Sequence, residues 1–216
     1  MQPALTLLFD PLCGWCYAAH PVLEKLAAAL ADEVQWQLLP TGLFAGDGGQ
    51  PMTAQKRDYF WQNDQRIAQM TGQPFSQAYY DQVLSDFNSR FDSALATQAW
   101  FLIAQARPAQ ALAALQDIQR VRYVDGHGSQ DMDALTRVAT QYGLDGEAFA
   151  AAMRAGNPAG LDAAIAAARQ MMRTFGVSGV PSLILHTAAG SGVVPGGALY
   201  QNPEQLTDMI RNTLSA

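Results

Sequence analysis

Two cysteines, Cys13 and Cys16, carry the clearest chemical signal in this 216-residue sequence. They are its only cysteines, and they enclose Gly14 and Trp15. A structural disulfide framework uses more cysteines at wider spacing, so the pair indicates redox catalysis or metal binding rather than a crosslink. The pair follows a short apolar run and precedes a helical pattern, which places it at the start of a helix.

The start of a helix gives the two thiols different chemistry. Unpaired backbone N–H groups of the first turn stabilise a negative charge, so the thiolate of Cys13 is favoured. Cys16 lies one turn further in, where burial favours the protonated thiol. We therefore predict that Cys13 attacks a substrate disulfide and that Cys16 resolves the mixed disulfide. Gly14 leaves the first turn open, and Trp15 either shields the pair or contacts substrate.

Half of a zinc site is the other interpretation of this spacing. Structural zinc needs four ligands, and the remaining candidates, His20, His127 and His186, are scattered along the chain. We therefore predict no metal and no cofactor within one chain apart from the redox-active Cys13–Cys16 pair. A metal cluster shared between two copies of the chain stays open.

The surrounding pattern predicts a β-α-β opening. Residues 5–9 form an apolar run typical of a buried strand, residues 14–31 have helical spacing, and residues 34–39 alternate like a strand. Pro21 lies inside the helical pattern and should kink it, because proline has no N–H to donate. This opening is typical of a parallel α/β sheet.

The middle of the chain is predicted to be helical. After a glycine-rich connection, residues 52–156 show helical spacing and no convincing strand. Residues 158–175 then predict a helix, residues 182–194 a hairpin, and residues 203–214 a final helix. We therefore expect an α/β domain formed by residues 1–43 and 158–216, interrupted by an inserted helical subdomain at residues 44–157.

Composition narrows the classes of partner and the location. The net charge of −6 argues against nucleic acid, because an acidic chain repels phosphates. The longest apolar runs, such as residues 4–9, fall far short of the roughly 18 residues that a membrane span needs. No secretory signal pattern is visible at the N-terminus, so we expect a cytoplasmic location without membrane contact.

Two motifs resemble signatures of the DsbA-like thioredoxin-fold family. Phe9-Asp10-Pro11-Leu12-Cys13-Gly14-Trp15-Cys16-Tyr17 is similar to the family's active-site segment, above all in its FrnE-like and predicted disulfide-isomerase branch with a Cys-x-Trp-Cys-Tyr motif. Gly176-Val177-Ser178-Gly179-Val180-Pro181 resembles the loop that ends in a cis-proline. The resemblance implies a thioredoxin fold with a large helical insertion. It also implies a cis-Pro181 beside the thiols and a Val180 backbone that pairs with an extended substrate.

Gly14 departs from the proline that is usual in this branch. The two residues between the cysteines tune the redox potential in this family, so oxidant, reductant or isomerase behaviour does not follow from the resemblance. We predict an enzyme, a thiol-disulfide oxidoreductase or disulfide isomerase, acting on protein or small-molecule thiols and disulfides. Glutathione is a candidate thiol partner, and a homodimer is compatible with the sequence.

Two other functions stay open. Kappa-class glutathione transferases and 2-hydroxychromene-2-carboxylate isomerases resemble the chain in the Phe-Asp opening and the helical insertion, but they place serine where Cys13 stands. A redox-dependent binding module is a non-enzymatic alternative.

Two polar residues near the thiols have two interpretations each. The Asp10 carboxylate either moves a proton to or from Cys16 or caps a turn. His20, four residues after Cys16, either perturbs the thiolate or is simply packed or solvated, and we favour the second interpretation.

Overall fold

The fold is built on a four-stranded mixed sheet whose strands come from the N-terminal and C-terminal parts of the chain. The computed structural model describes residues 2–215. Its elements in chain order are β1 (Ala4–Phe9), α1 (Gly14–Ala18), α2 (His20–Ala29), β2 (Gln35–Pro40), β3 (Gln50–Pro51), α3 (Ala54–Thr71), β4 (Arg90–Phe91), α4 (Ala94–Ala106), α5 (Ala111–Tyr123), α6 (Met132–Gln141), α7 (Gly146–Arg154), α8 (Leu161–Phe175), β5 (Ser182–Thr187), β6 (Gly190–Val193) and α9 (Pro203–Leu214).

The sheet has the strand order β2-β1-β5-β6. β1 is parallel to β2 and antiparallel to β5, and β6 is the edge strand of the predicted C-terminal hairpin. β1 is buried on both faces, which explains why it is an uninterrupted apolar run. Leu5, Leu7 and Phe9 face the larger hydrophobic cluster, whereas Leu8 packs on the opposite face against Ala168 of α8.

The single kinked helix predicted for residues 14–31 is in fact two helices. α1 ends at Ala18, and α2 begins at His20 with Pro21 in its first turn. Pro21 has no N–H to donate to the Tyr17 carbonyl four residues earlier. The side chain of Gln73 donates to that carbonyl instead, at 3.3 Å, so the polar group freed by the break is satisfied.

The segment between β2 and α8 is mainly helical, and it packs on the sheet. Phe9 at the end of β1 meets Trp100 of α4 edge-on, with ring centroids 4.6 Å apart. The prediction of no strand in residues 52–156 was wrong, because Arg90–Phe91 pairs with Gln50–Pro51. A two-residue pairing is too short to produce an alternating pattern. Residues Tyr79–Leu84 form a π-helical turn. The domain limits at residues 44 and 157 stay a prediction.

No helix within residues 2–215 is long and apolar enough to cross a membrane.

Arg169 of α8 binds the two residues that follow β2, where the chain leaves the sheet. Its Nε donates to the Thr41 carbonyl and its guanidinium to the Gly42 carbonyl, both at 2.9 Å. These carbonyls follow β2 directly, while α8 belongs to the C-terminal part of the chain. One side chain therefore ties the two halves of the sheet domain together.

We expect Arg169→Ala to lower the free energy of unfolding by roughly 1–2 kcal/mol, because two charge-assisted hydrogen bonds are lost at a partly solvated site. Urea unfolding followed by circular dichroism measures this change. Arg173→Ala is the matched control, since Arg173 lies one turn later and its guanidinium donates to the exposed Gln170 side chain. Equal stability of the two variants would contradict this role for Arg169.

Candidate active site

Cys13 lies at the junction of β1 and α1, as its motif predicts. It is the N-cap residue of α1, with extended backbone, and its Sγ accepts a hydrogen bond from the Cys16 N–H at 3.3 Å. The Sγ–H also donates to the Val180 carbonyl at 3.3 Å. Cys13 is 7% exposed. A backbone amide therefore points at the sulfur of Cys13, where a thiolate gains most from it.

Cys16 lies one turn inside α1 and is nearly sealed from solvent, with 2% of its surface exposed. Burial raises the pKa of the Cys16 thiol well above its usual range, and the hydrogen bond and charge of Cys13 raise it further. The two sulfurs are not bonded to each other in this structure. Cys13 is therefore the slightly more exposed of two buried cysteines, and burial keeps the Cys16 thiol protonated.

The loop between α8 and β5 forms the opposite wall. The Val180–Pro181 peptide bond is cis. An open groove of about 410 Å³ lies against this loop, lined among others by Trp15, Val177 and Val194. Tyr200, for which the sequence carries no motif, lies on the same groove. Its ring meets Trp15 edge-on at 5.0 Å, and its hydroxyl donates to the Trp15 carbonyl at 3.2 Å.

Asp10 is fully buried, and its carboxylate is saturated with donors. It accepts hydrogen bonds from the Leu12 N–H, the Phe44 N–H and the Ser93 hydroxyl, at 3.0, 3.1 and 2.9 Å. Burial raises the pKa of the Asp10 carboxyl, although these hydrogen bonds act in the opposite direction. The observed contacts are those of a turn-capping aspartate that also anchors the insert to the active-site loop.

Helix α5 holds the same loop from its other side. The Tyr123 hydroxyl donates to the Leu12 carbonyl at 2.8 Å, and the Gln119 amide donates to the Pro11 carbonyl at 3.2 Å. Because the Gln119 amide nitrogen is used in this way, its Oε1 accepts from His20 Nε2 at 2.8 Å, which assigns the proton of His20 to Nε2.

His20 is therefore a buried, neutral histidine. Burial lowers its pKa to about 4, and the hydrogen bond to Gln119 offsets this only in part. The other two histidines lie elsewhere, His127 beside Asp131 and His186 beside Thr6. Across residues 2–215, no three His, Cys, Asp or Glu side chains are grouped as metal ligands.

Asp64 of α3 is a second site residue for which the sequence carries no motif. Its Oδ1 lies only 2.7 Å from the position that a Cβ on Gly14 would occupy, and its Oδ2 accepts from the Tyr79 hydroxyl at 2.9 Å. Burial raises the pKa of the Asp64 carboxyl to about 7, against the hydrogen bond from Tyr79 and the charge of Arg122. A Cβ at position 14 would clash with this oxygen, so any other residue there would require the Asp64 side chain to move.

Known proteins share the fold of this chain. The family model described as DSBA-like thioredoxin domain matches residues 4–210. The cytosolic disulfide reductase DsbM from Pseudomonas aeruginosa has 32% sequence identity and a TM-score of 0.82, over 98% of each chain. The structure of the same reductase with GSH has 33% sequence identity and a TM-score of 0.82, over 99% of this chain and 100% of that chain. A proposed protein disulfide isomerase from Nitrosomonas europaea has 20% identity and a TM-score of 0.79, over 99% and 97%. No curated protein matches the chain.

The fold and these matches define a thioredoxin-fold thiol-disulfide oxidoreductase with a helical insertion. Within that class, the chain belongs to the DSBA-like thioredoxin family. The predictions of fold class, family and enzyme type are thereby confirmed. The transferase and binding-module alternatives find no support among these matches.

The neutral state of His20 predicts a specific pH dependence of stability. Its pKa of about 4 in the folded protein is below the ordinary 6.5, so between these values the unfolded chain binds a proton that the folded chain does not. The contribution of His20 to the free energy of unfolding is therefore fully present above pH 6.5 and is lost as the pH falls towards 4. The loss is at most about 3.5 kcal/mol, because each tenfold change in proton affinity corresponds to about 1.4 kcal/mol.

We expect His20→Gln to remove this part of the pH dependence, as measured by urea unfolding at pH 4.5, 5.5, 7 and 8. His186→Gln, at a partly exposed position on β5, is the control and should keep the wild-type slope. A wild-type slope in His20→Gln would show that His20 is not the group that titrates.

Proposed function

We propose that this chain is a disulfide reductase that works through Cys13 and Cys16 and takes its electrons from glutathione. The observation that carries the proposal is the position of Cys13 Sγ, 3.3 Å from both the Cys16 N–H and the Val180 carbonyl. The 33% identity over the whole chain to a cytosolic disulfide reductase that has been solved with GSH supports both the direction and the thiol.

The reaction requires the two cysteines to act in sequence. The Cys13 thiolate attacks one sulfur of the substrate disulfide, and the other substrate sulfur leaves as a thiolate that takes a proton from solvent. Cys16 then attacks Cys13 Sγ, which forms the Cys13–Cys16 disulfide and releases the second substrate sulfur as a thiolate. The proton that Cys16 loses passes to that sulfur through solvent. Two electrons have passed to the substrate. Two glutathione molecules restore both thiols and leave as oxidised glutathione.

The groove beside the cis-proline loop is the proposed substrate site. In the thiol state the Val180 carbonyl accepts from Cys13 Sγ–H. Loss of that proton on forming the thiolate frees the carbonyl for the backbone of an extended substrate, which Trp15 and Pro181 would flank. Gly14 permits the Asp64 contact, and Asp10 shapes the loop that carries Cys13.

We also propose that the reaction needs no bound metal or organic cofactor, because the two cysteines and glutathione carry all the electrons that it transfers.

We propose a cytoplasmic location as well. Such a location suits an enzyme that takes its electrons from glutathione, because the cytosolic glutathione pool is strongly reducing. The cytosolic location of the Pseudomonas aeruginosa reductase supports this assignment.

The division of labour between the thiols is tested by trapping. Cys13→Ser should abolish the glutathione-dependent reduction of insulin, because no reachable nucleophile remains. Cys16→Ser should still attack but cannot resolve, so it should accumulate a mixed disulfide that is visible on a non-reducing gel and lost on reduction. Mass spectrometry of the trapped species then identifies Cys13 as the linked residue.

Alkylation of the reduced wild-type protein supplies an independent check. Iodoacetamide at mildly acidic pH should modify Cys13 well before Cys16, since Cys16 is buried and its pKa is raised. Trapping by Cys13→Ser, or earlier labelling of Cys16, would reverse the assignment. Insulin reduction supported by another thiol but not by glutathione would remove glutathione from the proposal and leave the roles of the cysteines intact.

A further inference from the structure

Asp64 places a carboxylate next to the first residue of the helix that carries both cysteines. Its Oδ1 is 2.7 Å from the Cβ position of Gly14, and Gly14 follows Cys13 directly in the chain. Asp64 is 7% exposed. Tyr79 donates to Oδ2, and no hydrogen bond to Oδ1 occurs among residues 2–215. The proposed steps of disulfide reduction do not use this buried acid.

The groups packed around Asp64 compensate its charge only in part. From the π-helical turn comes the neutral Tyr79 hydroxyl, and from α5 come Tyr123 and the Arg122 guanidinium. Arg122 is buried over the rings of Tyr79, Tyr123 and Phe91, and no ion pair shorter than 4.0 Å joins it to Asp64 within the described chain. Part of the negative charge of ionised Asp64 is therefore left without compensation.

Tyr123 shows that this charge and the nucleophile share one environment. Burial raises the pKa of the Tyr123 phenol well above its usual range, and the charges of both Asp64 and Cys13 add to the increase. Two anions that act on one buried side chain in a poorly solvated site also repel each other. Asp64 Oδ1 also lies beside Gly14, the residue next to Cys13, so a carboxylate there and a thiolate on Cys13 would place two like charges within one residue of each other in a poorly solvated site.

We propose that Asp64 is a positioning residue whose ionised carboxylate destabilises the Cys13 thiolate and makes the Cys13–Cys16 pair a stronger reductant. The thiolate exists only in the reduced protein, whereas the disulfide carries no charge. Repulsion by Asp64 therefore raises the free energy of the reduced state alone, which favours electron transfer to the substrate. This inference rests on the proposed reductase function, and it assigns part of its direction to one residue of the helical insert.

The effect depends on pH because Asp64 changes charge near neutrality. Its pKa is raised to about 7 by burial, so the carboxylate is mostly ionised at pH 8 and mostly neutral at pH 5.5. The titratable and charged groups that face Asp64 are Tyr79 from the π-helical turn and Tyr123 and Arg122 from α5. Neither tyrosine ionises in this range, since burial raises both pKa values well above the ordinary value of 10. The additional reducing power is present above about pH 7 and lost below it.

Asp64→Asn keeps the shape of the side chain and removes its charge, so it tests the proposal directly. At pH 8 we expect the equilibrium of the cysteine pair with glutathione to shift about tenfold towards the dithiol, which is about 30 mV less reducing. Alkylation of Cys13 at pH 8 should become faster, because the repulsion that opposes its thiolate is removed. At pH 5.5 the variant and the wild-type protein should agree.

Asp58→Asn is the matched control, because Asp58 lies on the same helix with an exposed side chain paired to Arg57. It should leave both readouts at wild-type values. Tyr79→Phe is a second variant that keeps the carboxylate and removes its donor. Loss of this hydrogen bond should raise the pKa of Asp64, so the additional reducing power should develop at a higher pH than in the wild-type protein. If circular dichroism shows that Asp64→Asn does not fold, Tyr79→Phe alone tests the proposal.

The outcomes separate this inference from the proposed function. A wild-type potential and alkylation profile in both Asp64→Asn and Tyr79→Phe, with exchange still dependent on Cys13, would overturn the role of Asp64 alone. A shift of the same size at pH 8 and pH 5.5 would also overturn it, since charge would not be the cause. Exchange that persists in Cys13→Ser would overturn the proposed function, and this inference with it.

Discussion

The position of Cys13 depends on hydrogen bonds between the three residues that precede it, Asp10 to Leu12, and the helical insert. Asp10 binds backbone and side-chain donors of the insert, and the carbonyls of Pro11 and Leu12 accept from α5. Such contacts fix the loop between β1 and α1 in a single conformation, because each buried polar group would be costly to leave unpaired. The sulfur is consequently held between an amide donor of its own helix and the carbonyl of the cis-proline loop.

The helical insert is therefore part of the active site and not an appendage to the sheet. It supplies Gln119 and Tyr123 as donors to the loop, and its α3 supplies Asp64. One hydrophobic cluster runs from the sheet through α1 and α2 into the insert. A change in the packing of the insert would reach the thiols through these rigid contacts, since a close-packed interior transmits strain.

Gly14 shows how a residue between the cysteines is set by its surroundings. With glycine at this position, the Asp64 carboxylate approaches the backbone of α1, and Ile67 and Phe75 close over the same place. A bulkier residue would displace the carboxylate. The glycine at position 14 and the position of the Asp64 carboxylate are thus linked through a single contact between α1 and α3.

The sequence alone was enough to predict the chemistry and the class of fold. The Cys-x-x-Cys spacing, the strand-to-helix junction and the β-α-β order are local patterns, and the structure has all three. The break between α1 and α2 was only partly predictable. Pro21 indicates a kink, but the donor that satisfies the freed Tyr17 carbonyl is Gln73, which is distant in the sequence.

Only the tertiary structure identified Asp64 and Tyr200 as site residues. An aspartate in a polar helix and a tyrosine near a glycine pair have no local signal, because their roles come from contacts with Gly14 and Trp15 across long stretches of chain. The same holds for His20, whose neutrality follows from burial against Gln119. Local patterns determine which elements form and which atoms react, whereas burial and long-range contacts decide the charge that those atoms carry.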